Sequence, residues 1–270
     1  MRKLLILLPL AILAGCAYDQ EANDHFTTQE RMDKGLVLIL PGVEGESSFN
    51  HELRQGLAIA GVECAMPIYC WGRPIPIAGT LINQMDVWGN RAAGKDIAGF
   101  IVAYQDHHPK RPVYLIGHSG GGGVAVFAAE SLPAGRKIDG LILLSASISG
   151  GYDLTAALDH CRNGVVNFYS PEDVAVLGIG TSIAGNVDGT RGPAAGLTGF
   201  GQPSGSDAEQ KRVAYQRVYE VEITGGINPH TAATNSAFVQ HSVAPWVAAV
   251  WPKGALVMVL EDFPQLLTRR

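Results

Sequence analysis

Val113-Tyr-Leu-Ile-Gly-His-Ser-Gly-Gly-Gly-Gly123 changes its periodicity in the middle. Val113 to Ile116 is an apolar run rich in β-branched and aromatic residues, which predicts a strand. Gly117-His118-Ser119-Gly120-Gly121 follows with no spacer, and then Val124, Phe127, Ala128 and Leu132 recur at helical spacing. The pattern is strand, tight turn and helix, with one serine at the apex. G-x-S-x-G in that context offers Ser119 as a nucleophile. The flanking glycines have a steric reason: strand and helix approach so closely that side chains at Gly117 and Gly121 would collide, and the serine backbone is expected to be strained. The helix N-terminus also points its free N–H groups at the oxygen of whatever the serine attacks. A glycine-rich turn carrying an ordinary N-cap serine is the plainer alternative. A P-loop does not fit, because no Gly-Lys-Ser/Thr follows.

Outward from this turn, strand and helix patterns alternate. Gly35 to Leu40 is a continuous apolar run, as in a strand buried on both faces of a parallel sheet, and it ends in Pro41-Gly-Val-Glu-Gly45. Ser47 or Ser48 opens a helix with Phe49, Leu53 and Leu57 on one face, closed by Gly61. Val62 to Ile68 reads as the next strand, Tyr69 to Gly89 as irregular, and Asn90 to Asp106 as a helix. Beyond the central turn come a strand over Ile138 to Ser145, a short helix over Tyr152 to His160, and a strand over Val165 to Tyr169. The glycine-dense stretch from Gly178 to Gly205 predicts a long loop, functional or mobile. Ala208 to Arg217 reads as a short helix and Val218 to Thr224 as a strand. Thr234 to Val250 reads as a last helix interrupted near Pro245, and Ala255 to Leu260 as an edge strand or part of the closing tail. Such alternation implies an α/β fold: a mostly parallel sheet with right-handed crossovers and helices on both faces. Chemistry in such sheets sits beyond the carboxyl ends of the strands.

Composition bounds the rest. The chain has 270 residues, of which 47% are hydrophobic and 17% charged, enough for one α/β domain with a sizeable core. The formal charge is −5 with no basic block, so nucleic-acid binding has no electrostatic footprint. Arg2 and Lys3 followed by the apolar Leu4 to Leu13 form a targeting segment too short to span a membrane. Leu13-Ala-Gly-Cys16 resembles the lipobox of bacterial lipoproteins, which implies that residues 1–16 are a signal peptide whose cysteine becomes lipidated; an ordinary secretion signal is the alternative. Ala17, in place of the aspartate associated with inner-membrane retention, implies an exported, outer-membrane lipoprotein anchored by several acyl chains at Cys16. Residues 17–33 are polar and read as a tether, leaving 34–270 as a single domain. Of the remaining Cys64, Cys70 and Cys161, at least one must be unpaired among the three, and their spacing is not that of a zinc site.

A serine hydroxyl needs a base, and the base an orienting carboxylate. The chain as a whole resembles the α/β-hydrolase superfamily, whose order of catalytic residues is serine, acid, histidine. Tyr169-Ser-Pro-Glu-Asp173 looks like the acid loop of that superfamily, which points to Asp173, with Glu172 as its neighbour; a solvated helix start is the bland alternative. His230 lies in the loop before the closing helix, where the superfamily carries its catalytic histidine, and the stretch from His230 through Phe238 to Val243-Ala-Pro245 resembles a recurring bacterial hydrolase ending. His241 is the rival base, and His118 reads as a packing or rim residue. By the same resemblance the oxyanion donors are the N–H groups of Gly120 and of Val43, with Glu44 as the second possibility; Pro41 stands where relatives carry histidine. No metal-ligand spacing or dinucleotide fingerprint occurs, so no cofactor is expected. Only about twenty residues separate Ser145 from Val165, too few for a full cap domain, and Trp71, Trp88 and Tyr152 are candidates for an acyl pocket or for plain packing. The resemblance implies an esterase- or lipase-like serine hydrolase working through an acyl-serine on a small-molecule or lipid ester. An amidase, peptidase or thioesterase on the same residues, or a non-catalytic envelope binding protein on this fold, remains open.

Overall fold

The computed structural model describes residues 24–73, 78–174, 176–177, 184–204, 207–225, 228–248, 250–254 and 256–260. The signal peptide, Cys16 and residues 17–23 lie outside them.

Leu36–Leu40 forms β1 with every residue buried. Val113–His118 is β2, Gly140–Leu144 β3, Val165–Tyr169 β4, Val218–Ile223 β5 and Leu256–Leu260 β6. All pair in parallel, in the spatial order β1 to β6. Both faces of such a sheet are covered, which is why β1 and β3 are apolar throughout rather than alternating, whereas β5 alternates, with Glu220 and Glu222 half-buried. Successive residues serve opposite faces. Leu36, Leu38 and Leu40 pack with Ile97 and Ile101 and with Val124, Phe127 and Ala128. Val37 and Ile39 pack with Leu53 and Leu57 and with Phe238, Val239 and Val243.

The helices that supply these residues are α1 (Gln29–Met32), α2 (Ser48–Ile59), α3 (Ala78–Met85), α4 (Val87–His107), α5 (Gly120–Glu130), α6 (Thr155–Asp159), α7 (Ala195–Thr198) and α8 (Ala208–Tyr215). Ser47 is the cap of α2: its N–H donates to Asn50 Oδ1 at 2.9 Å in a capping box. Between β3 and β4 only α6 intervenes.

Several expectations are corrected. Val62 to Ile68 is not a full strand: Ala65 and Ile68 make isolated bridges to Leu36 and Ile39 on the outer side of β1. Pro67 offers only its carbonyl, to Ile39 N at 3.0 Å, because proline has no N–H for the ladder. The supposedly irregular stretch to Gly89 contains α3 and the first turn of α4, with Asp86 capping through Gly89 N at 2.9 Å. The described part of 178–205 is packed, not loose. It contains α7, buries Val187, Ala194 and Ala195, and hydrogen-bonds residues just past β3 through Gly196 N to Ala146 O and Ala195 N to Ile148 O, and just past β4 through Gly196 O, which accepts from Ser170 N.

The closing helix breaks into a 3-10 turn (Ala232–Thr234), α9 (Ser236–Phe238), a π-turn (Val239–Val243) and α10 (Pro245–Ala248). Asn235 starts a new helix inside it by accepting from Ala237 N and Phe238 N. The tether is also shorter than 17–33. Phe26 packs on the core, Arg31 Nη1 donates to Cys64 O at 3.2 Å, and Met32 O accepts from Tyr104 Oη at 2.7 Å. Cys64 and Cys161 are free thiols.

One half-buried acid ties the 195–200 segment to the sheet. Glu220 of β5 accepts from Phe200 N at 2.9 Å and Asn167 Nδ2 at 2.8 Å. Burial pushes its carboxyl up to about 7, against the pull of those two donors. The folded state therefore holds this proton more tightly than the unfolded chain. The stability it contributes is complete below the ordinary carboxylate range and is lost as pH rises through about 7. Unfolding of wild type and Glu220→Gln, compared from about pH 4 to about pH 8, is expected to show a gap that grows in favour of glutamine with rising pH. The pH-dependent part is on the order of 2 kcal/mol. A gap that does not change with pH would exclude this origin.

Candidate active site

Ser119 directly follows β2, with φ 52° and ψ −122°. A non-glycine residue at such angles costs on the order of 1–3 kcal/mol and must be held there by its surroundings. Three hydrogen bonds hold it: Ser119 N donates to Leu144 O at 2.9 Å, and Ser119 O accepts from Ser147 N at 2.9 Å and Gly122 N at 3.0 Å. The two glycines of the turn permit the approach of α5. A Cβ on Gly117 would run into Gly121 O and Gly122 Cα, and one on Gly121 into the carbonyls of Leu40 and Pro41. The strand and the helix thus meet backbone to backbone, and α5 is buried from Gly120 to Ala129.

Two loops beyond other strands reach this apex. Asp173, 3% exposed, follows β4 and is set by a turn in which its N–H donates to Ser170 O at 3.1 Å. His230 follows β5. Its Nδ1–H donates to Asp173 Oδ2 at 2.6 Å, which leaves Nε2 as the acceptor, 3.1 Å from Ser119 Oγ. Residues far apart in the chain thus form one hydrogen-bonded series of hydroxyl, imidazole and carboxylate. That arrangement is able to take a proton from the hydroxyl and to stabilise the imidazolium that results.

The Pro41–Gly45 loop lies over the same apex. A Cβ on Gly120 would touch Val43 Cγ1 and the Trp71 ring, so Gly120 sits directly against both. Among the described residues, neither Val43 N nor Gly120 N donates a hydrogen bond. Glu44, the second candidate for a backbone donor, folds its carboxylate back over Gly42 and accepts from Ser47 Oγ at 3.4 Å. Burial holds this carboxyl above its ordinary range, opposed by backbone N–H groups and by attraction to His230.

Of the rivals, His241 is exposed and its Nδ1–H donates to Ala237 O one turn back at 2.8 Å. Glu172 accepts from Gly225 N at 3.3 Å and bears on the loop before His230 rather than on its ring. His118 is wholly buried and donates from Nε2 to the backbone carbonyl of His230 at 3.1 Å. Of the three aromatics considered for an acyl pocket, only Trp71 borders the apex, with Nε1 donating to Pro41 O at 2.7 Å. Trp88 is 86% exposed, and Tyr152 packs on Phe127 with its hydroxyl donating to Glu130.

Two residues had no signal in the sequence. Asn83 donates to Val43 O at 3.0 Å, and Gln84 donates to Ser147 Oγ at 2.7 Å and Gly185 O at 2.8 Å. Both come from α3, whose polar side chains pin the Val43 loop and the Ser147 segment from above.

The family described as Hydrolase_4, serine aminopeptidase S33, matches residues 32–170, more than half of the chain. No curated protein sequence matches significantly. Among solved structures the chain is similar to a dienelactone hydrolase from Anabaena variabilis ATCC 29413, at 15% identity over 81% of this chain and 88% of that one, with a TM-score of 0.49. It is also similar to Aspergillus fumigatus lipase B, at 16% identity over 83% of this chain and 55% of that one, with a TM-score of 0.48. A third is the poly(3-hydroxybutyrate) depolymerase LpqC from Bordetella parapertussis, at 16% identity over 87% and 83%, with a TM-score of 0.48.

The backbone contact at the apex is testable without any substrate. Gly121→Ala pushes a methyl group into two carbonyls that cannot yield, and should destabilise the fold by about 3 kcal/mol or more. Gly99→Ala, in α4 with nothing within 4 Å of the new methyl, should be neutral or stabilising by up to about 1 kcal/mol. Chemical denaturation of both variants reads the contrast, and equal effects would contradict it.

Proposed function

The chain belongs to the Hydrolase_4 (serine aminopeptidase, S33) family and has the α/β-hydrolase fold, and from this premise we propose that it cleaves carboxylic esters through an acyl-serine intermediate. Ser119 attacks the ester carbonyl while His230 Nε2 takes its proton. Asp173 keeps the imidazole in the required tautomer and steadies its charge. The N–H groups of Val43 and Gly120 receive the oxyanion. His230 returns the proton to the departing alkoxide. Water, activated by the same imidazole, then clears the acyl group and regenerates the hydroxyl.

The single observation behind this is the series Ser119 Oγ, His230 Nε2 and Nδ1, and Asp173 Oδ2, at 3.1 and 2.6 Å. Each step needs only those atoms and two backbone donors, without metal or cofactor. The short connection around α6 leaves no cap between β3 and β4, which favours a varied set of small-molecule or lipid esters. The family description includes a peptidase, so amide cleavage on the same residues is the second possibility. A thioester would engage the same groups. Turnover of matched ester, thioester and amide substrates separates the three.

A fluorophosphonate probe tests the chemistry itself. Wild type should be labelled and Ser119→Ala should not, and the Ala variant should keep its fold. His230→Ala should lose roughly 10³-fold or more in ester turnover, while His241→Ala should stay near wild type. A folded wild type that takes no label would instead support a binding protein, and a large loss at His241 would move the base.

We further propose that Cys16 carries a lipid anchor and holds the enzyme at the outer membrane of the cell envelope. The support is Leu13-Ala-Gly-Cys16 after an apolar core of signal-peptide length, with Ala17 following. The folded body begins by Phe26, so the chain from Cys16 to Asp24 would keep it within about 30 Å of the bilayer. The mass of the mature chain should show an acylated N-terminal cysteine. A Cys16 found unprocessed, or joined in a disulfide, would defeat the anchor.

A further inference from the structure

We propose that His118, the residue before Ser119, is a positioning residue that clamps the backbone of His230 and so keeps its imidazole between Asp173 and Ser119. This rests on the catalytic roles assigned above.

His230 arrives on a loop that follows β5, far along the chain from β2, and among the described residues the hydrogen bonds of its ring go to the two groups it must work with. The Ser119 contact changes during turnover, when the proton moves from its Oγ to Nε2, while the Asp173 bond must stay aligned. A hold on the main chain that does not take part in the proton transfer would keep the residue in place throughout. Among the described residues, the one hydrogen bond to the main chain of His230 comes from His118 Nε2, at 3.1 Å from the carbonyl oxygen. The clamp is itself fixed. His118 is 1% exposed, ends a strand bonded on both sides, and packs between the His230 ring at 5.2 Å and Phe49 at 6.2 Å. The nucleophile and the anchor of its base are thus consecutive residues on one rigid strand end. Any displacement of β2 carries both together.

A carbonyl only accepts, so His118 Nε2 carries the proton. If the ring is neutral, Nδ1 is bare. Among the described residues Nδ1 has no hydrogen-bond partner, and Glu44 Oε1 lies 4.0 Å away. Burial pushes the ring down to about 3, with the charge on His230 adding to it. Neutrality suits the task. A cationic ring 5.2 Å from His230 would oppose the imidazolium that forms there during acylation. His118 is therefore a fixed neutral donor and does not carry the proton in turnover.

The test compares three variants of the full chain by steady-state ester kinetics, fluorophosphonate labelling and melting. His118→Leu removes the donor at similar size. His118→Asn keeps an amide too short to reach the carbonyl. His118→Gln places an amide nitrogen near the position of Nε2. Misplacing a catalytic group by about 1 Å costs on the order of 10²-fold. Leu and Asn are expected to lose about 30- to 100-fold in kcat with KM within about threefold, and Gln to recover to within about fivefold of wild type. Wild-type kcat in the Leu variant overturns the clamp, and so does equal loss in Asn and Gln. If Leu fails to fold, the contrast between Asn and Gln decides alone. A wild type that is neither labelled nor active overturns the catalytic roles themselves, whatever the His118 variants do.

Discussion

The contact on which everything else depends is the meeting of two backbones at Gly117 and Gly121. A strand end and a helix start touch there with no side chain between them. That closeness forces the turn between them to be sharp, and Ser119 has positive φ for that reason rather than through any preference of serine. The strain is balanced by hydrogen bonds to Leu144 at the end of β3, to Ser147 just past it and to Gly122 of α5, and by the burial of α5 from Gly120 to Ala129. A serine on an ordinary helix cap would point along the helix flank. Here its oxygen stands clear of the sheet edge, within reach of loops from β1, β4 and β5.

A parallel sheet then does the gathering. Its strands all end on the same side, so loops distant in sequence converge on one edge without threading past each other. Asp173 and His230 occupy two such ends, and the Pro41–Gly45 loop a third. Convergence has an electrostatic cost. Asp173 is nearly inaccessible, Glu44 is held above its ordinary range by burial, and His118 is held neutral. Each is tolerated because a specific donor or carbonyl faces it, or because the group stays uncharged.

Much of the architecture was legible because it follows from local rules. The apolar runs at Leu36–Leu40 and Gly140–Leu144 have no polar face and so require cover on both sides. The glycine turn could fit only a strand meeting a helix. Ser119, Asp173 and His230 were readable as candidates, since each follows a predicted strand. Other features were hidden for physical reasons. α3 has glycine and threonine in its first turn and is held by side-chain bonds from Asn83 and Gln84 to remote carbonyls and a hydroxyl, which no local pattern announces. The closing helix reads as a run interrupted near Pro245, yet Asn235 already restarts it by capping. The glycine-dense stretch before Gly205 looks loose by composition, but its described part packs because backbone carbonyls just past β3 accept from it.

Residue order alone determined which chemistry was available: a serine at a turn too tight for side chains, an acid after one strand and a histidine after another. It did so because steric exclusion and hydrophobic period act over a few residues and leave a record in spacing. Only the folded chain decided which groups meet. Glu44 folds its carboxylate back over Gly42, and Glu172 tends the loop while Asp173 takes the imidazole. His118, which looked like packing, carries the bond to the His230 carbonyl. Hydrogen bonds between residues a hundred positions apart are set by crossover geometry and burial, and those are properties of the assembled sheet.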